Sequence, residues 1–253
     1  MSRVVVVLSA LALAFGLVGV GVVSPPTAVA ASTGVAVDPG FVPAGGLAGS
    51  LEAAVVQSDG KAVIGGSFEA VGGVARSSLA RLNVDGTLDA TFNPGTGPTS
   101  TENSTTLPGT VSALAVQPDG KVLVAGWFDA FGGVARPGLV RLNANGSVDT
   151  GFNPGSGPVS AGSVGSIQVI RVAADGTIMV GGHFDTFNAV ARNGIVRLTA
   201  AGAVDATFNP GTGVGAGEVV TIAILGNSTM VIGGDFTEFN GVPRASLARL
   251  LAN

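Results

Sequence analysis

Residues 111–155 read VSALAVQPDGKVLVAGWFDAFGGVARPGLVRLNANGSVDTGFNPG, and the same frame occurs four times along the chain. Equivalent phenylalanines stand at Phe68, Phe128, Phe184 and Phe236, spaced by 60, 56 and 52 residues. Self-similarity at such a period marks a stacked or radial β architecture, in which each unit buries its apolar face against a neighbour. The quoted stretch divides into four short strands. Strand A, 111–117, is rich in β-branched and small apolar residues. Pro118-Asp119-Gly120 turns the chain into strand B, 121–128, because Asp-Gly between apolar runs is a strong hairpin signal. A longer loop, 129–137, carries Gly132-Gly133. Strand C, 138–143, leads to a tight turn at Asn145-Gly146, and strand D, 147–153, places Val148, Thr150 and Phe152 on one face by period-two alternation.

Four antiparallel strands repeated without an intervening helix form the blade of a β-propeller, with a linear solenoid as the rival. The two ends of the sequence favour the ring. The last copy reaches Asn253, aligned with Asn145, before a strand D begins, while Val37-Asp38-Pro39-Gly40-Phe41-Val42-Pro43 matches residues 148–154 at the valine, aspartate, glycine, phenylalanine and proline. The expectation is an all-β propeller of four four-stranded antiparallel blades, closed by pairing the N-terminal strand with the C-terminal blade. The repeat units run over about 51–97, 111–157, 167–213, and 219–253 completed by 35–43. A closed monomer is expected. Strand exchange between molecules and a larger ring made by a dimer are the alternatives.

The frame QPDGKVLVAGWF…FGGVARPGLVRLNANGSVDTGFNP resembles the delta-60 repeat β-propeller family of exported bacterial proteins, over residues 37–253. The resemblance implies a propeller fold and a secreted or cell-surface setting, and it implies no established reaction or ligand. The double glycine near the end of strand B is similar to that of kelch repeats, but the tyrosine and tryptophan that kelch repeats carry downstream are absent. Asp-rich calcium loops of the integrin type are missing as well, since Val84-Asp85-Gly86 and Ala144-Asn145-Gly146 offer too few oxygen ligands.

Arg3, an apolar run from Val4 to Val23, a Ser24-Pro25-Pro26 break and Ala28-Val29-Ala30 have the layout of a secretory signal peptide. Residues 1–30 are read as that signal and 31–253 as one repeat domain, secreted or held at the cell surface. Retention of the long apolar run as an anchor is the alternative. No later stretch reads as a membrane span. The chain has no cysteine, so burial alone must stabilise it. Without Arg3 it carries 11 basic and 16 acidic residues, which is no footprint for nucleic acid. Charged residues make up 11%, against a typical ~25%.

Eight of the 12 basic residues occupy two repeated positions. Arg76, Arg136, Arg192 and Arg244 follow the B–C loop; Arg81, Arg141, Arg197 and Arg249 lie in strand C; Asp38, Asp89, Asp149 and Asp205 recur in strand D. A ring of arginines binding an anion is one reading. One structural Arg–Asp pair per blade is favoured, because a fold needs the same contact four times and a ligand seldom does.

Functional candidates are the places where the frame breaks. The position before the strand B phenylalanine holds Ser67, Trp127, His183 and Asp235, including the only tryptophan and only histidine. The connection 98–107, the longest between copies, carries Glu102. Strand B runs toward the rim of longer B–C and D–A loops, and loops on a rigid scaffold are the usual seat of binding residues. The inventory for catalysis is thin: no Cys, no Tyr, one His, no phosphate-cradling loop and no zinc cluster. The expectation is a non-catalytic recognition or adhesion module for a glycan or an envelope protein, with no cofactor and no metal. A purely structural envelope protein is the alternative, and a carboxylate-dependent carbohydrate-active enzyme a third.

Overall fold

A computed structural model describes residues 38–41, 45–102, 104–225 and 229–251. The expected signal segment, and the expected N-terminal strand apart from residues 38–41, lie outside the described residues. Every described element is a strand.

Four antiparallel sheets follow one another, each with strand B in the centre. They comprise Leu47–Val56, Ala62–Val71 and Leu79–Leu82; Thr110–Val116, Val122–Trp127 and Leu139–Leu142; Ser166–Val172, Ile178–His183 and Ile195–Leu198; and Gly217–Ile224, Met230–Phe236 and Leu247–Leu250. Every strand A has a register shift at the same place, between Leu51 and Ala53, Val111 and Ala113, Ile167 and Val169, and Val219 and Thr221. The second residue of each strand B pair sits against this bulge, and only glycine fits there. A Cβ on Gly66, Gly126, Gly182 or Gly234 would lie 2.0–2.1 Å from the carbonyl oxygen of Ser50, Thr110, Ser166 or Glu218.

Strand D differs from expectation. It contributes a single bridge in each of three copies, Leu82 to Leu88, Leu142 to Val148 and Leu198 to Val204, and then leaves the ladder, so strands A, B and C carry each sheet, with Val74–Ala75 added to the first. The repeated aspartate causes this. Oδ1 of Asp89, Asp149 and Asp205 accepts the N–H of Thr91, Gly151 and Thr207 at 2.9 Å, and its own carbonyl accepts from the following Phe92, Phe152 or Phe208. Such side-chain bonds offer the backbone a turn in place of a ladder.

The long loops are also more ordered than expected. Pro98–Glu102 and Thr105–Pro108 form a hairpin that pairs with Ala130–Phe131, itself paired with Val134–Ala135. Pro158–Ser160, Ser163–Val164, Thr186–Phe187 and Val190–Ala191 repeat the arrangement in shorter form. In the last copy Glu238–Phe239 still pairs with Val242–Pro243, while the D–A hairpin is reduced to a bridge from Val214 to Phe239. Gly132 and Gly133 sit at φ 55° and 79°, as a two-residue hairpin with positive φ at both centres requires.

Successive sheets pack through the same positions. Leu123, Leu139 and Phe152 meet Ile167, Ile178 and Val180 between the second and third sheets. Val63, Leu79 and Phe92 meet Val111, Val122 and Val124 between the first and second, and Met179, Ile195 and Phe208 meet Val219, Met230 and Ile232 between the third and fourth. Strand B is therefore buried on both faces and reads as an unbroken apolar run. The described sheets do not close into a ring. Ile64, Phe68, Val71, Ala80 and Leu82 form a cluster with no preceding sheet on it.

Candidate functional site

Three of the four strand C arginines are held in ion pairs. Nε of Arg81, Arg141 and Arg197 donates to Oδ2 of Asp89, Asp149 and Asp205 at 2.8 Å in each copy. The same guanidiniums lie over the rings of Phe92, Phe152 and Phe208 at 4.8, 4.8 and 5.2 Å. Arg81 and Arg141 also reach the following copy, donating to the carbonyls of Ala144 and Ala200 at 2.7 and 2.6 Å. In the first two copies one side chain thus joins strand C, strand D and the next C–D turn.

The aspartates record this engagement. Lys121, the main cause, with Gly151 and Arg141, holds Asp149 down to about 2 against the cost of burial. Burial works against Asp89 most strongly, yet Lys61, Thr91 and Arg81 still hold it well below the usual carboxylate range. Asp205 is lowered chiefly by the Thr207 hydroxyl.

The corner arginines behave otherwise. Nη1 of Arg76, Arg136, Arg192 and Arg244 donates to the carbonyl of the residue just before it, at 2.8–2.9 Å. No ion pair forms at these four among the described residues, and Nε of Arg76, Arg136 and Arg192 is buried without an acceptor. Arg249 is exposed, unlike its three strand C counterparts.

The frame-breaking position is built by the bulge. In each copy the glycine at the bulge is followed by the variable residue and then by a buried phenylalanine: Gly66-Ser67-Phe68, Gly126-Trp127-Phe128, Gly182-His183-Phe184 and Gly234-Asp235-Phe236. All four variable residues are exposed, and Trp127 leaves 40% of its surface open. Their cross-strand partners are Ser50, Thr110, Ser166 and Glu218. They occupy matching places on four successive sheets. His183 Nδ1 lies 3.2 Å from the Gly217 carbonyl of the next copy. Beside it a shallow pocket of about 190 Å³ is lined by His183, Asp185, Asn193, Val214 and Gly217 among others.

Two rim carboxylates tie the corner hairpins. Oδ2 of Asp129 accepts from the Thr101 N–H and the Ser100 hydroxyl, tying the 98–108 hairpin to the B–C corner, and Oδ2 of Asp185 ties the next hairpin through the Ala161 N–H. Glu102 stands exposed near the tip of the first hairpin. The hairpins themselves escaped the sequence reading, although Pro98 and Pro158 at the same offset after the strand D phenylalanine were a visible signal.

An all-β array of repeated sheets packed face to face, two of them clamped to the next by an arginine, is the build of a propeller-type repeat protein. Residues 57–92, 117–152, 173–208 and 227–253 match the family described as a domain of unknown function (DUF5122) beta-propeller, and the chain belongs to that family. No curated protein matches the chain in sequence. Among solved structures it is similar to the extracellular domain of the putative one component system BT4673 from B. thetaiotaomicron, with a TM-score of 0.44 and 11% identity over 79% of this chain and 21% of that one. It is also similar to PorZ, a bacterial surface component of the type-IX secretion system of Porphyromonas gingivalis, with a TM-score of 0.40, 14% identity, and 72% and 24% covered. A protein of unknown function from Bacteroides caccae gives a TM-score of 0.40 and 14% identity, over 81% of this chain and 62% of that one. The chain spans less than two thirds of each of these proteins.

Proposed function

We propose that the protein is a secreted or cell-surface recognition module without catalytic activity, and that its ligand docks on the long-loop rim around Trp127. In this reading its sheets are four blades of a propeller, and the N-terminal strand pairs with the C-terminal blade. The secretory layout of residues 1–30 supports the setting. The observation that carries the site is the half-open indole of Trp127. Other large aromatic side chains of its copy are buried, and Arg141, Asp149 and Asp129 are each held in ion pairs or hydrogen bonds within the protein. An indole supplies an apolar plane and one N–H donor, which suits stacking on a sugar ring or an aromatic partner. Ser67, His183 and Asp235 extend the same rim with different chemistry, and Glu102 edges it.

A structural envelope protein is the second reading, and one observation favours it. The B–C and D–A connections pair into small sheets, which fills part of the rim with packed backbone. The test is a binding screen of the exported protein against wall polysaccharides, peptidoglycan fragments and a glycan array, repeated with Trp127→Ala. Loss of a specific signal in a variant that melts like the parent supports the site. No specific signal from the parent, or binding unchanged in the variant, overturns it.

A further inference from the structure

The reading of the sheets as propeller blades leaves two surfaces without partners, and they are the two halves of one joint. At the three joints inside the molecule, the incoming face presents Val111, Ile167 or Val219, each fully buried by the sheet before it. Leu51 holds that position on the first sheet and is 52% exposed. The outgoing face presents Leu79, Leu139 or Ile195, each fully buried by the sheet after it. Leu247 holds that position on the last sheet and is 61% exposed.

The polar parts of the joint match in the same way. Arg81 and Arg141 each cross a joint to a carbonyl in the next C–D turn, at Ala144 and Ala200. On the last sheet the corresponding arginine is Arg249, exposed, and in the first copy the corresponding turn residue is Val84, 67% exposed. A cavity of about 300 Å³ on the first sheet is lined by Phe41, Leu51, Ala54, Ile64, Val71 and Leu82 with neighbouring small residues. Phe41, which corresponds in sequence to Phe92, lines it and is 41% exposed where Phe92 is fully buried. What the cavity lacks is the A–B–C sheet of a preceding copy, and the last sheet is such a sheet with its outgoing face bare.

We infer that a second copy of this chain seats its last sheet on the first sheet of its neighbour, with Leu247 against Leu51 and Arg249 at the Val84 turn. The occupant is a second copy because the joint is specified by the repeat frame itself, leucine and arginine at fixed spacing, and among the described residues no apolar cluster joins the first and last sheets within the chain. Such an interface is heterologous: each copy offers one half of it at either end. It rests on the propeller reading above.

The experiment measures the mass of the exported protein in solution, together with its melting temperature, for the parent, Leu51→Glu and Leu247→Glu. Both substituted side chains are exposed, so neither variant places a charge inside a single copy. The parent is expected to be a dimer or larger and each variant alone a monomer. An equimolar mixture of the two variants is expected to form a species of two copies, because each retains the half that the other has lost. A monomeric parent, a parent assembly unaffected by either substitution, or a mixture that stays monomeric overturns the inference. A monomeric parent whose melting temperature falls in both variants would place the joint within one chain and leave the propeller reading standing. A monomeric parent with unchanged melting temperatures would remove closure of the ring as well.

Discussion

At the scale of single residues, two kinds of position carry the fold, and they make different predictions. Gly126 has no room for a methyl group, since its Cβ would sit 2.0 Å from the Thr110 oxygen with backbone on the other side as well. Gly126→Ala must open the bulge, and it is expected to cost at least ~2 kcal/mol in chemical unfolding, at the upper end of ordinary substitutions. Ala189 is the opposite case. It holds φ 59° at a turn position where the other copies have Gly73, Gly133 and Gly241. A left-handed alanine costs about 1–2 kcal/mol, so Ala189→Gly should stabilise the protein by up to ~1 kcal/mol after the entropy of the unfolded glycine is counted. Thermal melting checks both.

The Arg141 clamp gives a further residue-scale prediction. Arg141→Ala removes the bond to Asp149, the stacking on Phe152 and the bond to Ala200 together, and the expected loss is about 2–4 kcal/mol. Arg197→Ala should cost less, because that pair is more exposed and its arginine bonds Thr207 rather than a carbonyl of the next turn. Arg141→Lys should not restore the parent stability, since an ammonium lacks the planar fork. Equal, negligible losses in chemical unfolding would contradict the clamp. Asp149 also fixes a pH dependence. Its folded value of about 2 lies below the ordinary 3.8, so its contribution, on the order of 2 kcal/mol, is complete above about pH 4 and is lost as pH falls through about 2. Lys121→Met should flatten that acid limb, because Lys121 is the main cause of the depression.

At the scale of elements, strands A, B and C were legible in the sequence because turn chemistry brackets them. Asp119-Gly120 and Asn145-Gly146 fix the ends, and an apolar run of strand length leaves one reading for what lies between. Strand D was not legible as it is. Val148, Thr150 and Phe152 alternate as a strand should, but alternation is blind to a side chain that bonds its own backbone, and Asp149 does so two residues on. The hairpin 98–108 was hidden for a related reason: its strands are mostly polar, and nothing in Thr99-Ser100-Thr101 announces that Ser100 is buried. Its attachment is polar instead, through Asp129. Asp129→Ala is expected to loosen the hairpin while leaving the sheet beside it intact. Faster amide exchange confined to residues 98–108 is the readout, and protection unchanged there would contradict the tie.

At the scale of the whole molecule, the order of the sheets follows from the frame, and the candidate rim does too, since a position that changes chemistry in every copy of a repeat stands out against its neighbours. What the sequence could not convey is the state of the ends. The match between residues 37–43 and strand D is a statement about register, and register is the same whether the last sheet belongs to the same chain or to another. The exposure of Leu51 and Leu247 adds that the first and last described sheets do not meet in the single chain, because exposure is a property of the packed array. Phe41→Ala tests the part that both arrangements share. It removes an aromatic ring from the cavity on the first sheet and should lower the melting temperature more in the assembled protein than in the Leu51→Glu variant, where that cavity no longer closes.

The hairpins on the rim shorten from one copy to the next, from Pro98–Pro108 to Pro158–Val164 to the lone bridge at Val214, and the 60, 56 and 52 residue spacings are the trace of this. Copies that look alike can mispair while a chain folds, one unit docking where its neighbour's neighbour belongs. Here each joint carries a corner piece of its own length, so a skipped unit would bring a long hairpin to a corner cut for a short one. The gradient serves as an address on every unit, and it allows the buried positions to stay nearly identical without the order of assembly becoming ambiguous.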